Sequence, residues 1–193
     1  MPEQMIPVVI IVGTLVVMML GIVIIVARFY EKVDQGQVLI VNTMKDEPRV
    51  TFTGLVVYPI VNRAEVMDIS VKTLPIHLHG KEAPLCKDDI RADIKVIFHM
   101  RVNKTTEDVL KVAQSIGCKR ASDPRALEEL FAAKFSEALH VVAGRFEFKT
   151  LTRERDHYRD EIIALIGVDL NGFVLDDAAV ELVARTPIEE LEA

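Results

Sequence analysis

Lysine and arginine are missing from the first 27 residues, where Glu3 is the sole charged side chain; all 23 basic residues and all but one of the 29 acids follow Ala27. This argues against a cleaved secretory signal, which needs a basic leading region, a shorter apolar stretch and a small-residue cleavage site. Cysteine is scarce as well. Cys86 and Cys118 lie far apart, with no CxxC or Cys/His finger spacing, so a zinc finger or dithiol redox motif is excluded. Two reduced thiols are the expected state. No GxSxG, HExxH, Walker or GxGxxG pattern occurs, which removes the commonest hydrolase, metalloprotease and nucleotide-binding readings. A basic excess is also lacking. The net charge is −6, and a mildly acidic chain has no broad attraction for nucleic acid.

What stands out is one long apolar run. Residues 6–27, opening at Ile6, passing through Val12 and Leu20 and closing at Ala27, are 22 residues without a charge. As a helix rising about 1.5 Å per residue the run is roughly 33 Å long, enough for a hydrocarbon core of ~30 Å. Its only hydroxyl side chain is Thr14, so no polar face exists for water. Lipid offers the backbone no partners, and helical bonding satisfies it even in a run rich in Val and Ile. Arg28 and Lys32 follow directly, then Lys45 and Arg49. By the positive-inside rule, residues 1–5 lie outside and the remainder faces the cytoplasm. Phe29 and Tyr30, with Arg28 and Lys32, fall at headgroup level. The small residues Gly13, Thr14 and Gly21 would let a neighbouring helix approach closely.

Beyond Tyr30 the pattern turns to short strands. Residues 37–42 (QVLIVN) follow the turn signal Asp34-Gln35-Gly36. Residues 50–53 and 55–58 flank Gly54, and Pro59 closes that piece. Phe52, Leu55, Val56, Val57 and Tyr58 are candidates for contact with the inner leaflet, the alternative being a buried core strand. Residues 64–78 alternate, but the apolar phase changes from Met67, Ile69 and Val71 to Leu74, Ile76 and Leu78, which predicts a bulge or bend near Thr73. In residues 90–102, Ala92, Ile94, Val96, Phe98, Met100 and Val102 face one way and mostly charged residues the other, an antiparallel strand with one wet face. Its length fits the centre or a protruding edge of a sheet.

Three helices follow: residues 106–116, residues 124–143 behind the N-terminal signal Ser122-Asp123-Pro124, and residues 152–166. Leu127, Leu130, Phe131, Phe135, Ala138 and Val142 form the expected buried stripe of the second, and Tyr158, Ile162, Leu165 and Ile166 that of the third. A strand at residues 173–183 comes next, and Thr186-Pro187 restarts a helix that meets the end of the sequence, as expected of a fragment. Strands grouped before helices indicate an α+β domain of mainly antiparallel sheet with packed helices.

Few residues look chemical. His77 and His79 share a strand face, but zinc needs three or four converging ligands, and a solvated face is the plainer reading. Ser115 and Ser136 fall within helices with no His and acid beside them. Asp88-Asp89, Glu128-Glu129 and Asp176-Asp177 read as solvated surface. Arg153, Arg155 and Arg159, interleaved with acids, read as a salt-bridged helix face. No catalytic, cofactor or metal-ligating residue is identified.

Four pieces resemble one family: residues 29–42 (FYEKVDQGQVLIVN), 54–59 (GLVVYP), 87–102 (KDDIRADIKVIFHMRV) and 169–175 (DLNGFVL). In this order behind an apolar anchor, they resemble the stomatin/prohibitin/flotillin (band 7, or SPFH) superfamily, most closely the bacterial flotillin-like inner-membrane proteins. The resemblance implies a single transmembrane helix at 6–27, an SPFH domain at 28–185 and the start of a coiled-coil helix at 186–193. It further implies a non-enzymatic scaffold without a cofactor, located in the cell (inner) membrane. Such a scaffold forms a large homo-oligomer and organises lateral membrane domains, lipids and partner membrane proteins. The alternative within the superfamily is a regulator that encloses or restrains a membrane-bound protease.

Overall fold

In the computed structural model, which describes residues 5–42, 48–56, 63–167 and 169–187, the uncharged N-terminal run forms one helix, α1 (Met5–Phe29). It leads without a linker into β1 (Tyr30–Lys32). The chain divides into two compact units, Met1–Val66 and Met67–Ala193.

In the first unit the Asp34-Gln35-Gly36 turn forms as its residues predict. Gly36 adopts φ +82°, and the Gln37 amide donates to the Asp34 carbonyl at 3.2 Å. It delivers β2 (Gln37–Asn42), which pairs antiparallel with β3 (Arg49–Thr51) and is followed in the same sheet by β5 (Arg63–Asp68) on its other side. Val33, Leu39 and Val41, with Ala64 packed against them, make a small core. β4 (Gly54–Val56) pairs with β1 in a separate two-stranded ribbon. Of the predicted strand at 55–58, Val57 and Tyr58 lie outside the described residues, as do Lys45 and Pro59.

The expected strand over residues 64–78 is two strands. β5 ends at Asp68, and β6 (Lys72–Leu78) begins in a different sheet. The phase change is real but falls before Thr73: Ile69 is buried, Val71 is exposed and Lys72 is buried. The Asp68 carboxylate holds the bend by accepting from the Ser70 amide and from Lys72 Nζ, and the Asp68 amide donates to Ser122 Oγ at 2.9 Å. Burial opposes ionisation of Asp68, yet the bonds from Lys72 and Ser70 hold its carboxyl below the usual range.

The second unit is built on a four-stranded antiparallel sheet in the order β6, β7 (Ala92–Val102), β9 (Phe173–Arg185), β8 (Asp169–Leu170). β7 sits inside it, and its even-numbered residues are all buried, as the alternation predicts. Two irregularities in the β7–β9 ladder leave Glu181 and Asp176 without a partner in the register. These are the residues that meet the neighbouring strand's cations, Lys95 to Glu181 at 2.7 Å and Arg101 to Asp176 at 2.9 Å. The bulges also let β9 bury Leu175, Ala178 and Val183 although their spacing is not even.

Helices cover the even-numbered face of β7. α2 (Thr106–Ser115) starts where expected, its Thr105 cap accepting from the Asp108 amide. The Asp108 carboxylate accepts in turn from Thr105 and Asn103, and the Thr105 bond is the chief cause holding its carboxyl below the usual range. α3 (Cys118–Ser122) is a short helix that periodicity misses. α4 (Pro124–Ala143) has the predicted bounds, with Asp123 capping the Arg125 amide. Phe135 of α4 stacks on Phe98 of β7 at 4.3 Å between ring centroids. The predicted helix at 152–166 is instead α5 (Phe148–Arg153) and α6 (Arg155–Ile166), broken at Glu154, whose φ and ψ of −107° and 53° are not helical. α5 starts early because the Asp88 carboxylate accepts from the Phe148 amide, a cap 60 residues away in sequence.

β9 runs two residues further than predicted. Thr186 is buried, its amide donating to the Arg91 carbonyl at 3.0 Å and its hydroxyl to Asp93 Oδ1 at 2.7 Å. Beyond Pro187 the predicted helix start at 186–193 lies outside the described residues.

Candidate membrane and assembly surfaces

The most exposed apolar surface is on α1. Between residues 12 and 25 its large apolar side chains, Val12 and Leu20 among them, are 51–69% exposed. Ala27 is exposed as well; Ile6 lies within α1, with its side chain outside the described set. The helix is uncharged throughout this stretch and Thr14 carries its one hydroxyl, so it presents no polar face to water. Among the described residues no helix is long and apolar enough to cross a membrane. The stretch of α1 with described side chains, residues 12–25, is shorter than the roughly 20 residues of a span.

The predicted interface residues fall at the junction that follows. Arg28 and Phe29 end α1, Tyr30 opens β1 and Lys32, exposed, closes it. The ribbon register sets Tyr30 against Val56, Glu31 against Leu55 and Lys32 against Gly54. Thus Leu55 and Val56 are brought beside the end of the helix, although some 25 residues separate them in sequence. Phe52 sits in the bend before β4, half-buried. The β1–β4 pairing thus joins Leu55 and Val56, two of the residues expected near the inner leaflet, to the end of α1; Val57 and Tyr58 lie outside the described residues.

Elsewhere the side chains offer structure rather than chemistry. The rings of His77 and His79 are 4.8 Å apart on the exposed face of β6 and just beyond it. Among the described residues no group of three or more His, Cys, Asp or Glu is placed to hold a metal ion. Cys86 and Cys118 are not joined in a disulfide, and both are buried. Burial, with a smaller contribution from Asp88, pushes the Cys86 thiol up to about 11. Burial also pushes the Tyr158 phenol up; its hydroxyl donates to the Leu139 carbonyl at 3.3 Å. Of the helix face expected from Arg153, Arg155 and Arg159, Arg159 pairs with Asp156 and Asp160, while Glu161 pairs with Arg145 from outside that face.

Two residues assigned to the core by periodicity are not in it. Leu130 of α4 is 45% exposed and Leu165 of α6 is 43% exposed. Each lies on the flank of its helix, beside the buried arc rather than within it. Between these helices Lys134, Glu137, Ala138, Val141, Leu165 and Ile166 line an open groove of about 210 Å³.

An antiparallel-sheet α+β domain directly behind an apolar helix is the arrangement that the four sequence pieces implied. The chain belongs to the SPFH domain / Band 7 family, whose sequence profile matches residues 31–190. Among individual proteins it is similar to the flotillin family inner membrane protein YqiK of Escherichia coli (strain K12), with 27% identity over 160 residues. The match takes in 81% of this chain but 28% of that relative, so the chain spans little more than a quarter of its length.

Proposed function

We propose that this protein is a non-enzymatic scaffold of the inner membrane, anchored by residues 6–27, which self-associates there and organises surrounding lipids and membrane proteins. The observation that carries the reading is α1. A charge-free run of 22 residues, whose large apolar side chains between residues 12 and 25 are bared at 51–69%, calls for a hydrocarbon environment, and it leads without a linker into the family domain. The cations that follow the run, none of which precede it, support an outer N-terminus and a cytoplasmic domain at 28–185. Arg28, Phe29, Tyr30 and Lys32 then lie at the headgroups, and Phe52, Leu55, Val56, Val57 and Tyr58 next to the inner leaflet. Residues 186–193 begin the helix that follows the domain. Membership of the SPFH / Band 7 family and likeness to a flotillin family inner membrane protein support the scaffold role.

Particle size tests it. The full gene product extracted in native lipid and imaged by negative-stain microscopy is expected as particles of many subunits that stay membrane-bound through an alkaline carbonate wash. Monomers or dimers, or release by carbonate, would sink the proposal. Orientation needs an introduced thiol, because the native cysteines are buried. A Lys119→Cys chain in intact cells is expected to label with an impermeant maleimide only after permeabilisation.

A further inference from the structure

The exposed flank of α4 has an internal symmetry that gives it a definite partner. Leu130, Lys134, Glu137 and Val141 recur at intervals of four, three and four residues, which places all four on one narrow stripe of the helix. All four are exposed. Read backwards the spacing is the same, with an apolar residue at each end and the two opposite charges exchanged in the middle. We propose that this stripe is a self-association seam, in which α4 of one copy packs antiparallel against α4 of a second copy about a two-fold axis.

In that register Leu130 meets the second copy's Val141, and Lys134 meets the second copy's Glu137, each contact occurring twice. A parallel pairing would instead set lysine against lysine and glutamate against glutamate. Neither Lys134 nor Glu137 forms an ion pair with another described residue, so both are available across the seam. The groove beside the stripe, walled by Leu165 and Ile166 of α6, gives the incoming Leu130 a place to bury. Two leucines whose periodicity marks them for burial, and which a single copy leaves exposed, are covered by this one contact.

From Leu130 to Val141 the seam spans 12 residues, about 16 Å along the axis, and is too small to hold free molecules together. Copies anchored in one bilayer meet at a much higher effective concentration, so the contact belongs to the membrane-bound state. A two-fold contact closes on itself and yields pairs; a larger assembly grows through a different surface. The inference rests on the self-association proposed above and deepens it by naming a surface.

The test uses the whole chain in vesicles of phosphatidylethanolamine and phosphatidylglycerol under mild oxidation. A mixture of Leu130→Cys and Val141→Cys chains is expected to give a disulfide-linked dimer. Either variant alone, and the parent with its buried Cys86 and Cys118, is expected to give several-fold less, because like positions lie about 16 Å apart in the antiparallel register. Energy transfer between copies labelled at Lys119→Cys is read in parallel. Lys134→Glu or Glu137→Lys alone should lower it several-fold, and both together should restore it. Cross-linking only within each single variant would overturn the register. Energy transfer that persists unchanged in every variant would overturn the seam while leaving self-association standing, and would free the groove for a helix of another protein. Its absence in the parent chain would overturn both.

Discussion

Gly172 turns the chain between β8 and β9 at φ +97°, a region open to glycine and strained for other residues. A Cβ there would lie 2.9 Å from the Asp108 carbonyl oxygen and 2.9 Å from Val112 Cγ2, so α2 would have to shift. Gly172→Ala is therefore expected to destabilise the fold by about 2 kcal/mol, read as a lower denaturation midpoint. Cys86 supports a second prediction at this scale. With its thiol pushed up to about 11 by burial, it stays protonated near neutrality and should react with a disulfide reagent at pH 8 only after denaturation. The folded state holds this proton more tightly than the unfolded state, whose value is near 9.0. Its contribution to stability is thus complete below about pH 9 and is lost as the pH rises towards 11. The Asn171-Gly172 turn is plain in the sequence, but what a side chain at 172 would strike is not. That obstacle is α2, about 60 residues away in the chain, and only the fold brings it near.

At the scale of elements, legibility depended on whether the signals were local. β7 and α4 matched expectation because alternation, the Ser122-Asp123-Pro124 start and the Gly144 stop all lie within or beside the element. The helix predicted at 152–166 was wrong because its real beginning is set by Asp88 across space and its break at Glu154 carries no glycine or proline. The strand predicted at 64–78 was wrong for a related reason: the phase change marked a passage between two sheets, which one strand's pattern cannot distinguish from a bulge. Leu130 and Leu165 show the limit of helical periodicity, since a stripe wide enough to include flanks does not say which flank a neighbour covers. Phe135 tests the part that was legible. It is fully buried, stacks on Phe98 at 4.3 Å and on Phe131 at 5.6 Å, and joins α4 to the sheet. Phe135→Ala should cost about 3–5 kcal/mol by loss of contact and creation of a cavity, whereas Leu130→Ala, on the exposed flank, should stay within about 1 kcal/mol. Equal costs for the two, measured by chemical denaturation, would mean that the flank is already covered within one copy.

For the whole molecule, the division near residue 66 separates two problems of burial. The first unit carries the apolar helix and, among the described residues, a small core of aliphatic side chains. The second holds β6 to β9 with α2 to α6, and its core runs from Leu74 and Phe98 through Phe135 and Leu139 to Tyr158 and Ile162, all buried within residues 67–193. Its strands are paired with one another in a single sheet, and the Asp93–Thr186 and Arg91–Thr186 bonds tie the end of β9 to the start of β7. Every strand of that sheet is therefore hydrogen-bonded to another strand of the same unit. A chain trimmed to residues 67–193 is expected to be monomeric in dilute solution, to leave the membrane fraction entirely and to unfold in one cooperative transition with β and α signals lost together. Failure to fold would show that residues 1–66 supply part of the core. Folding with retained membrane binding would move the membrane contact away from α1 and onto the sheet domain, against the role proposed for the helix. Clean folding with complete release would assign the membrane attachment to the first unit.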